Sequence, residues 1–379
     1  MQRLRRVLLS LGWYDYRLHR GIEKYAQAHA WNLSQDLARE KVIPWGWEGD
    51  GILAWLGAGD DLAEFVVHAD KPTVDFSYRR PHLPFAHVLE DGAAAGRLVA
   101  EHFLGRGFRN FIYYSDAPNW VYQERGQGFV GAIALAGRKC AWLRWQSPAR
   151  GAKRDEWRRK RNWLSAEMQR ASKPVAVFAA ADGQALDLLE SCESVGVRVP
   201  GEVAIAGAGD TLLAADAMKT PISSVDTGLE TLGFMGAELL DRMMDGAPVP
   251  KEAVRLPPIG LLPRKSSDAM AVSHDKVARC LRFIWEHCQD PIGVDDLVKL
   301  AAMSRRGLHQ AFVEHVGLPP GAELHRVRIE KAKQLLARSD DKLEAVAAMC
   351  GYRHANSFWL AFKLATGQSP RQFRQHMRR

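Results

Sequence analysis

Arg305, Arg306, His309 and Gln310 fall within six residues of one another near the end of the chain. Each side chain is long and ends in hydrogen-bonding groups, chemistry suited to base edges and phosphate oxygens. A helix through them turns Leu308 and Phe312, four apart, to the opposite side, and Ser304 stands where an N-cap belongs. The same apolar spacing returns at Phe358 and Phe362. Each of these helices follows a short apolar-faced one, Val294–Met303 and then Leu343–Met349, so two helix–turn–helix patterns are predicted. A long helix over roughly residues 322–337 would join them and hold the two polar faces about one DNA turn apart.

Other chemistries are poorly supported. The five cysteines stand at positions 140, 192, 280, 288 and 350, an odd number with no CxxC pair and no tight Cys/His spacing. Reduced thiols are expected, with no disulfide framework and no metal site. Gly207-Ala-Gly209-Asp-Thr-Leu212 departs from G-x-G-x-x-G at its last position, and no Walker A loop or G-x-S-x-G elbow occurs. No cofactor is expected, and the protein is not expected to be an enzyme.

The elements that would carry these residues change character along the chain. Residues 1–264 alternate short apolar runs with amphipathic stretches. Strands are predicted at Arg6–Leu11, Gly51–Trp55, Thr73–Phe76, Phe111–Ser115, Ala141–Trp145, Val175–Ala180 and Val203–Ala208. Helices are predicted at Leu18–His29, Gly92–Leu104, Arg125–Ala136, Asp155–Arg170 and Gln184–Val195. That alternation means parallel sheets flanked by helices, with enough units for two lobes. Residues 265–274 are polar and aperiodic and read as a linker; residues 275–379 turn all-helical.

Charge follows the same division. Of the 379 residues, 275–379 carry 18 Lys+Arg against 11 Asp+Glu, a net of +7, and the remaining 34 against 33 give +1. A basic tail on a near-neutral body is the footprint of a nucleic-acid-binding module. No apolar run approaches the ~20 residues of a membrane helix. The basic start, Met1–Arg6, leads into too short an apolar run for a signal peptide, so no membrane association and a cytoplasmic location are expected.

The stretch from Val346 to Arg374 resembles the signature of AraC-type transcription regulators: A-x-x-x-G-[FY], a spacer, F-x-x-x-F-K, then G-x-S-P-x-x-[FY]-R. With the first repeat the match spans about 100 residues. The resemblance implies two helices entering successive major grooves of duplex operator DNA. By position, Arg306, His309 and Gln310 would read bases in the first repeat. Asn356, Trp359 and Leu360 hold the corresponding places in the second, a set poorer in hydrogen-bonding groups, whose contribution would be shape fit and methyl contacts. Lys363, Arg371 and Arg374 would contact phosphates.

Residues 1–264 resemble the sugar-sensing domain of lac-repressor-type regulators, which has the two-lobed periplasmic-binding-protein fold. The landmarks are Gly21-Ile-Glu-Lys-Tyr-Ala26, Val88-Leu-Glu-Asp91, Glu124-Arg125-Gly-Gln-Gly128-Phe129, Ala180-Ala-Asp182 and Gly207-Ala-Gly-Asp210. The resemblance implies a sugar in the interlobe cleft. Carboxylates at Asp91, Asp182 and Asp210 would accept from its vicinal hydroxyls, and the Arg125 fork would donate to them. Loop aromatics, Tyr14 and Trp120 foremost, would cover its C–H face.

The expected architecture is therefore an α/β two-lobed periplasmic-binding-protein-like domain (1–264), a linker (265–274) and an all-α double helix–turn–helix domain (275–379). A sugar-sensing body followed by an AraC-type tail implies an activator of pentose, xylose-like, catabolic genes. It would work as a homodimer and meet RNA polymerase at the promoter. The alternatives are an αβ enzyme, or a sugar-binding protein whose helical tail docks another protein.

Overall fold

The computed structural model describes residues 4–34, 42–57, 59–146, 155–209, 219–269, 271, 274–339 and 341–378. They form two units. One takes the chain up to Asp91 and again over Gly228–Pro258; the other takes Gly92–Thr227 and Ile259–Arg378. The chain thus passes from one unit to the other three times, at residues 91–92, 227–228 and 258–259.

In the first unit, strand β1 (Arg5–Leu11) turns Val7, Leu9 and Leu11 to one apolar cluster and Leu8 to another. A strand apolar on both sides belongs inside a parallel sheet covered on both faces. It lies between β2 (Trp31–Ser34) and β3 (Gly51–Trp55), followed by β4 (Thr73–Asp75), β5 (Ala86–Glu90) and β11 (Val254–Leu256), all pairs parallel. Helices α1 (Tyr16–Ala28) and α7 (Leu229–Met244) supply one cluster, and α2 (Asp60–His68) the other.

In the second unit the sheet runs β12 (Gly260–Leu262), β10 (Ser223–Asp226), β9 (Val203–Ala208), β8 (Val175–Ala179), β6 (Asn110–Ser115), β7 (Cys140–Arg144). The β10–β12 pair is antiparallel and the others parallel. Helices α3 (Gly92–Gly105) and α4 (Trp120–Leu135) cover one face, α5 (Glu156–Arg170) and α6 (Asp182–Ser194) the other.

The same unit continues into the helices α8 (Asp275–His287), α9 (Val294–Ala301), α10 (Arg305–His315), α11 (Pro320–Arg338), α12 (Leu343–Met349), α13 (Ala355–Thr366) and α14 (Pro370–Arg378). Two cores divide α11 between them. Leu324 and Val327 pack with α8, α9 and α10, whereas Ile329, Ala332 and Leu336 pack with Val346, Phe358 and Phe362.

The expected fold class holds: two α/β sheets followed by an all-helical domain. The elements absent from the predicted strands and helices are the strands β2, β5, β10, β11 and β12, the helices α2 and α7, and the strongly polar α14. The segment read as a linker is not a free tether at its start. Lys265–Ser267 forms a 3-10 turn in which Ser266 and Ser267 are fully buried. The Ser266 hydroxyl accepts from the Ser223 amide (2.8 Å) and donates to the Ile205 carbonyl (2.7 Å), so the turn is fastened to β9 and β10.

Candidate functional site

Ligands of open α/β sheets collect at the carboxyl ends of the strands. In the second unit two of the expected residues meet there. Arg125 lies in α4, whose start is held twice. Asn119 caps it by accepting from the Val121 amide (3.1 Å), and the Tyr113 hydroxyl donates to the Tyr122 carbonyl (2.6 Å). Gly96 and Gly128 let α3 and α4 touch backbone to backbone. A Cβ on Gly96 would stand 2.1 Å from the Arg125 carbonyl oxygen, and one on Gly128 would stand 2.1 Å from that of Ala93. Larger residues there would displace Arg125. Its guanidinium, 5% exposed, donates to the Ala180 carbonyl just beyond β8.

Asp182 opens α6 two residues further on and is 1% exposed. Its Oδ1 accepts from the Ser224 hydroxyl of β10 (2.6 Å). Gly207 of β9 leaves room for that carboxylate, since a Cβ there would lie 2.3 Å from Oδ1. The ends of β8, β9 and β10 thus converge on a guanidinium and a carboxylate, complementary partners for a polyhydroxylated ligand. Trp120 is half-buried at the first position of α4. Asp210 follows β9 but lies outside the described residues.

In the first unit, Asp91 lies between β5 and α3, with its amide donating to the Leu256 carbonyl (2.7 Å). Tyr14, exposed beyond β1, pairs its hydroxyl with His19 Nδ1 (2.9 Å). Beside it Trp13 packs on Trp55 with ring centroids 4.6 Å apart. Sequence reasoning missed Asp75, a fully buried carboxylate ending β4. It accepts from the amides of Leu56 (3.2 Å) and Ser77 (3.0 Å), which anchors the loops after β3 and β4, and burial pushes its carboxyl up to about 6. The available signal was an aspartate inside an otherwise apolar strand.

The helical domain carries two outward faces. In α10, Ser304 caps the helix by accepting from the Gly307 amide (3.1 Å), Leu308 and Phe312 are buried, and Arg306, His309 and Gln310 are exposed on the opposite side. Arg305 stands apart from them and pairs with Asp295 of α9 (3.1 Å). In α13, Phe358 and Phe362 are buried, and Asn356, Trp359, Leu360 and Lys363 face out. The Lys363 ammonium lies 4.9 Å over the Trp359 ring. Arg371 is exposed. Arg374 instead donates to the Asp341 carbonyl (2.7 Å), which ties α14 to the loop before α12.

Two buried arginines escaped sequence reasoning because burial of a charged residue leaves no periodic mark. Arg328 of α11 donates to the carbonyls of Cys288 (2.8 Å), Asp290 (2.8 Å) and Ile292 (3.1 Å) and lies over Tyr352, binding the two helix–turn–helix halves together. Arg106, following α3, stacks 3.4 Å over Trp285 of α8. Among the described residues no group of His, Cys, Asp or Glu is arranged to hold a metal ion, and no helix is long and apolar enough to cross a membrane.

Comparison with known proteins extends these observations. Residues 100–267 match a periplasmic binding protein-like domain, and residues 297–376 match a helix-turn-helix domain. The chain is 26% identical over 376 residues to the xylose operon regulatory protein of Escherichia coli strain K12, covering 95% of this chain and 94% of that one. The structure described as a xylose-binding transcription activator aligns with a TM-score of 0.61 at 23% identity over 99% of both chains. A LacI family transcriptional regulator from Mycobacterium smegmatis aligns with 70% of this chain, at a TM-score of 0.56 and 22% identity.

Proposed function

We propose that this chain, built over nearly its whole length like the xylose operon regulatory proteins, is a sugar-responsive activator of transcription whose effector is a pentose, with xylose foremost. The observation that carries this reading is the union in one polypeptide of a periplasmic-binding-protein-like body and a double helix–turn–helix tail, in the same order as in that relative.

The body, 1–264, senses the sugar, and the tail, 275–379, reads operator DNA. Arg125 donates to sugar hydroxyls, and Asp91, Asp182 and Asp210 accept from them. Tyr14 and Trp120 cover the C–H face of the ring. Arg306, His309 and Gln310 read bases, and Lys363 and Arg371 hold phosphates. Arg305 and Arg374 already hold protein partners, so they steady their helices and contribute less to the DNA. Two chains form a dimer on repeated half-sites, in the cytoplasm, and RNA polymerase is met at the promoter.

A buried polar chain supports coupling between body and tail. Ser224, which donates to Asp182, adjoins Ser223 on β10. The hydroxyls of Ser223 and Ser267 are 2.6 Å apart, and Ser267 meets His102 Nε2 at 2.8 Å. Arg106 can only donate, so at 3.0 Å His102 Nδ1 accepts and Nε2 carries the proton. Burial and the neighbouring guanidinium hold the His102 pKa well below the usual range, keeping it neutral. Arg106 then stacks on Trp285 of the tail. A sugar that changes the hydrogen bonding of Asp182 acts on the first link of this chain. It shifts the tail to the extent that it binds one arrangement better, with typical couplings of about 1–3 kcal/mol.

The test is calorimetric titration of the full-length protein with xylose, arabinose, ribose and glucose, with and without operator. Selective binding of one pentose, tightened by operator by the same factor as the sugar tightens operator binding, is the expected result. No binding of any of these sugars sinks the assignment. Equal sugar affinity with and without DNA removes the coupling.

A further inference from the structure

Arg106 carries a charge that the folded chain does not answer. It follows α3, it is 1% exposed, and it donates to His102 Nδ1 (3.0 Å). Among the described residues it makes no ion pair, and its Nε is buried without a hydrogen-bond partner. The Trp285 ring offers it a face at 3.4 Å but no acceptor lone pair. Trp285 Nε1 is itself a second buried donor without a partner. Burial lowers the Arg106 pKa to about 9, which leaves the group cationic at neutral pH. A buried cation and two orphaned donors are costly unless an acceptor meets them.

Both side chains line one cavity of about 830 Å³, wholly inside the second unit and of a size typical for small-molecule sites. Its apolar walls include Leu98 and Leu104 of α3 on one side and Val316, Leu318 and Val327 of the tail on the other. The cavity's acidic residues do not supply the missing acceptor. Glu323 holds Arg326 through both carboxylate oxygens (2.7 and 2.8 Å), and Glu330 holds Lys333 (2.7 Å). Glu101, Asp268 and Glu286 are exposed to water, and Asp268 and Glu323 act on Arg106 only from beyond ion-pair distance. The cavity flanks the amino ends of the strands. Arg106 shortly precedes β6, and the amide of Arg264, another lining residue, donates to the hydroxyl of Ser223 at the start of β10 (2.7 Å). Arg125 and Asp182 lie at the opposite, carboxyl ends of the same sheet.

We infer that this cavity is a second effector site, separate from the sugar site, that takes a small organic anion. The oxyanion, a carboxylate or a phosphate ester, accepts from Arg106 and Trp285, and the apolar body lies against Leu98, Leu104 and Val316. A guanidinium fork suits either oxyanion. One wall belongs to the α/β region and the other to the tail, so the occupant fastens α3 to α8.

The test is calorimetric titration of the full-length protein with benzoate, phenyl phosphate, inorganic phosphate and the neutral benzyl alcohol. Benzoate or phenyl phosphate should bind once per chain, and whichever binds tighter tells a carboxylate site from a phosphate-ester site. Inorganic phosphate and benzyl alcohol should each bind at least about 10-fold more weakly, one lacking the apolar body and the other the charge. Arg106→Gln should weaken the preferred anion about 10-fold or more, the value of a charge-assisted hydrogen bond. Trp285→Phe keeps a ring under the guanidinium and loses only the N–H, so it should weaken the anion about 2- to 10-fold. Melting temperatures check the fold; should Arg106→Gln fail to fold, Trp285→Phe decides. Binding of neither organic anion overturns the inference, as does an affinity unchanged in the folded variants. Equal binding of benzyl alcohol would reduce the site to an apolar cavity, and equal binding of inorganic phosphate would remove the organic body; either result overturns it. Displacement of the anion by saturating xylose would move it to the sugar cleft, and that overturns it too.

Discussion

The two helix–turn–helix halves are built on one plan and finished differently. Each buries an apolar pair four residues apart and shares the long α11. The first half caps its outward helix with the Ser304 hydroxyl, whereas His354 makes no side-chain cap. The first turns out of α9 through Ala302 at φ +48°, a left-handed conformation that penalises a Cβ; the second uses Gly351 at φ +74°. The first adjoins the α/β region through Trp285, which lies under Arg106, and its outward face is polar. The second has a mainly apolar face with a cationic rim. Duplication of a scaffold fixes where the outward stripe points, because that depends on the buried pair. It leaves the chemistry of the stripe free to diverge.

The largest effect is expected where the halves are joined. Arg328→Met removes the donor to three carbonyls of the loop after α8, and the buried acceptors left behind should cost about 3–5 kcal/mol of stability. Denaturant titration of the full chain, followed by tail-specific fluorescence, would check this. A loss under 1 kcal/mol would mean the halves are held by their apolar contacts alone.

The turns should respond in opposite directions. A Cβ on Gly351 would meet the Cys288 carbonyl oxygen at 2.3 Å, so Gly351→Ala should destabilise by at least ~2 kcal/mol through that clash and left-handed strain. Ala302→Gly should instead be neutral or stabilising by under about 1 kcal/mol, the left-handed penalty being relieved against added chain entropy. Melting curves of the two variants side by side would expose any error in the contrast.

At the DNA, Arg306→Ala should cost about 1–3 kcal/mol on a specific site and relax selectivity there. Lys363→Ala should weaken binding evenly across sequences and lower the salt slope by about one unit. Equal losses from Arg306→Ala on specific and random duplexes would make that residue a phosphate contact and erase the difference between the halves.

The smallest effect concerns the caps. Ser304→Ala should cost about 1 kcal/mol, while His354→Ala, with no cap bond to lose, should stay within ~0.5 kcal/mol. Thermal unfolding resolves the pair if both are measured in one buffer.

Legibility followed the same physics. Leu308/Phe312 and Phe358/Phe362 could be read because a helix buried on one side must repeat its apolar residues near 3.6. Gly51–Trp55 and Val203–Ala208 matched the observed strands because central parallel strands are apolar throughout. Ser223–Asp226 carried no such signal. It is short, polar and satisfied by side-chain hydrogen bonds from distant residues. The strongly polar Pro370–Arg378 likewise offered too little apolar pattern.

The sequence by itself determined the order and kind of the two domains, the basic tail, and the register of the outward helix faces. All of these depend on local periodicity and composition, which are properties of neighbouring residues. The tertiary structure alone decided that Arg125 and Asp182 converge, that Arg328 joins the halves, and that Ser266 and Ser267 are buried. It alone set Ser224 against Asp182, and ran a polar chain from the neighbouring Ser223 by way of Ser267 and His102 to Arg106 and Trp285. A buried polar residue is stable only beside a partner of matching shape and protonation. That partner is commonly some forty or more positions away, and 165 for His102 and Ser267, so nothing adjacent in the chain records the pairing.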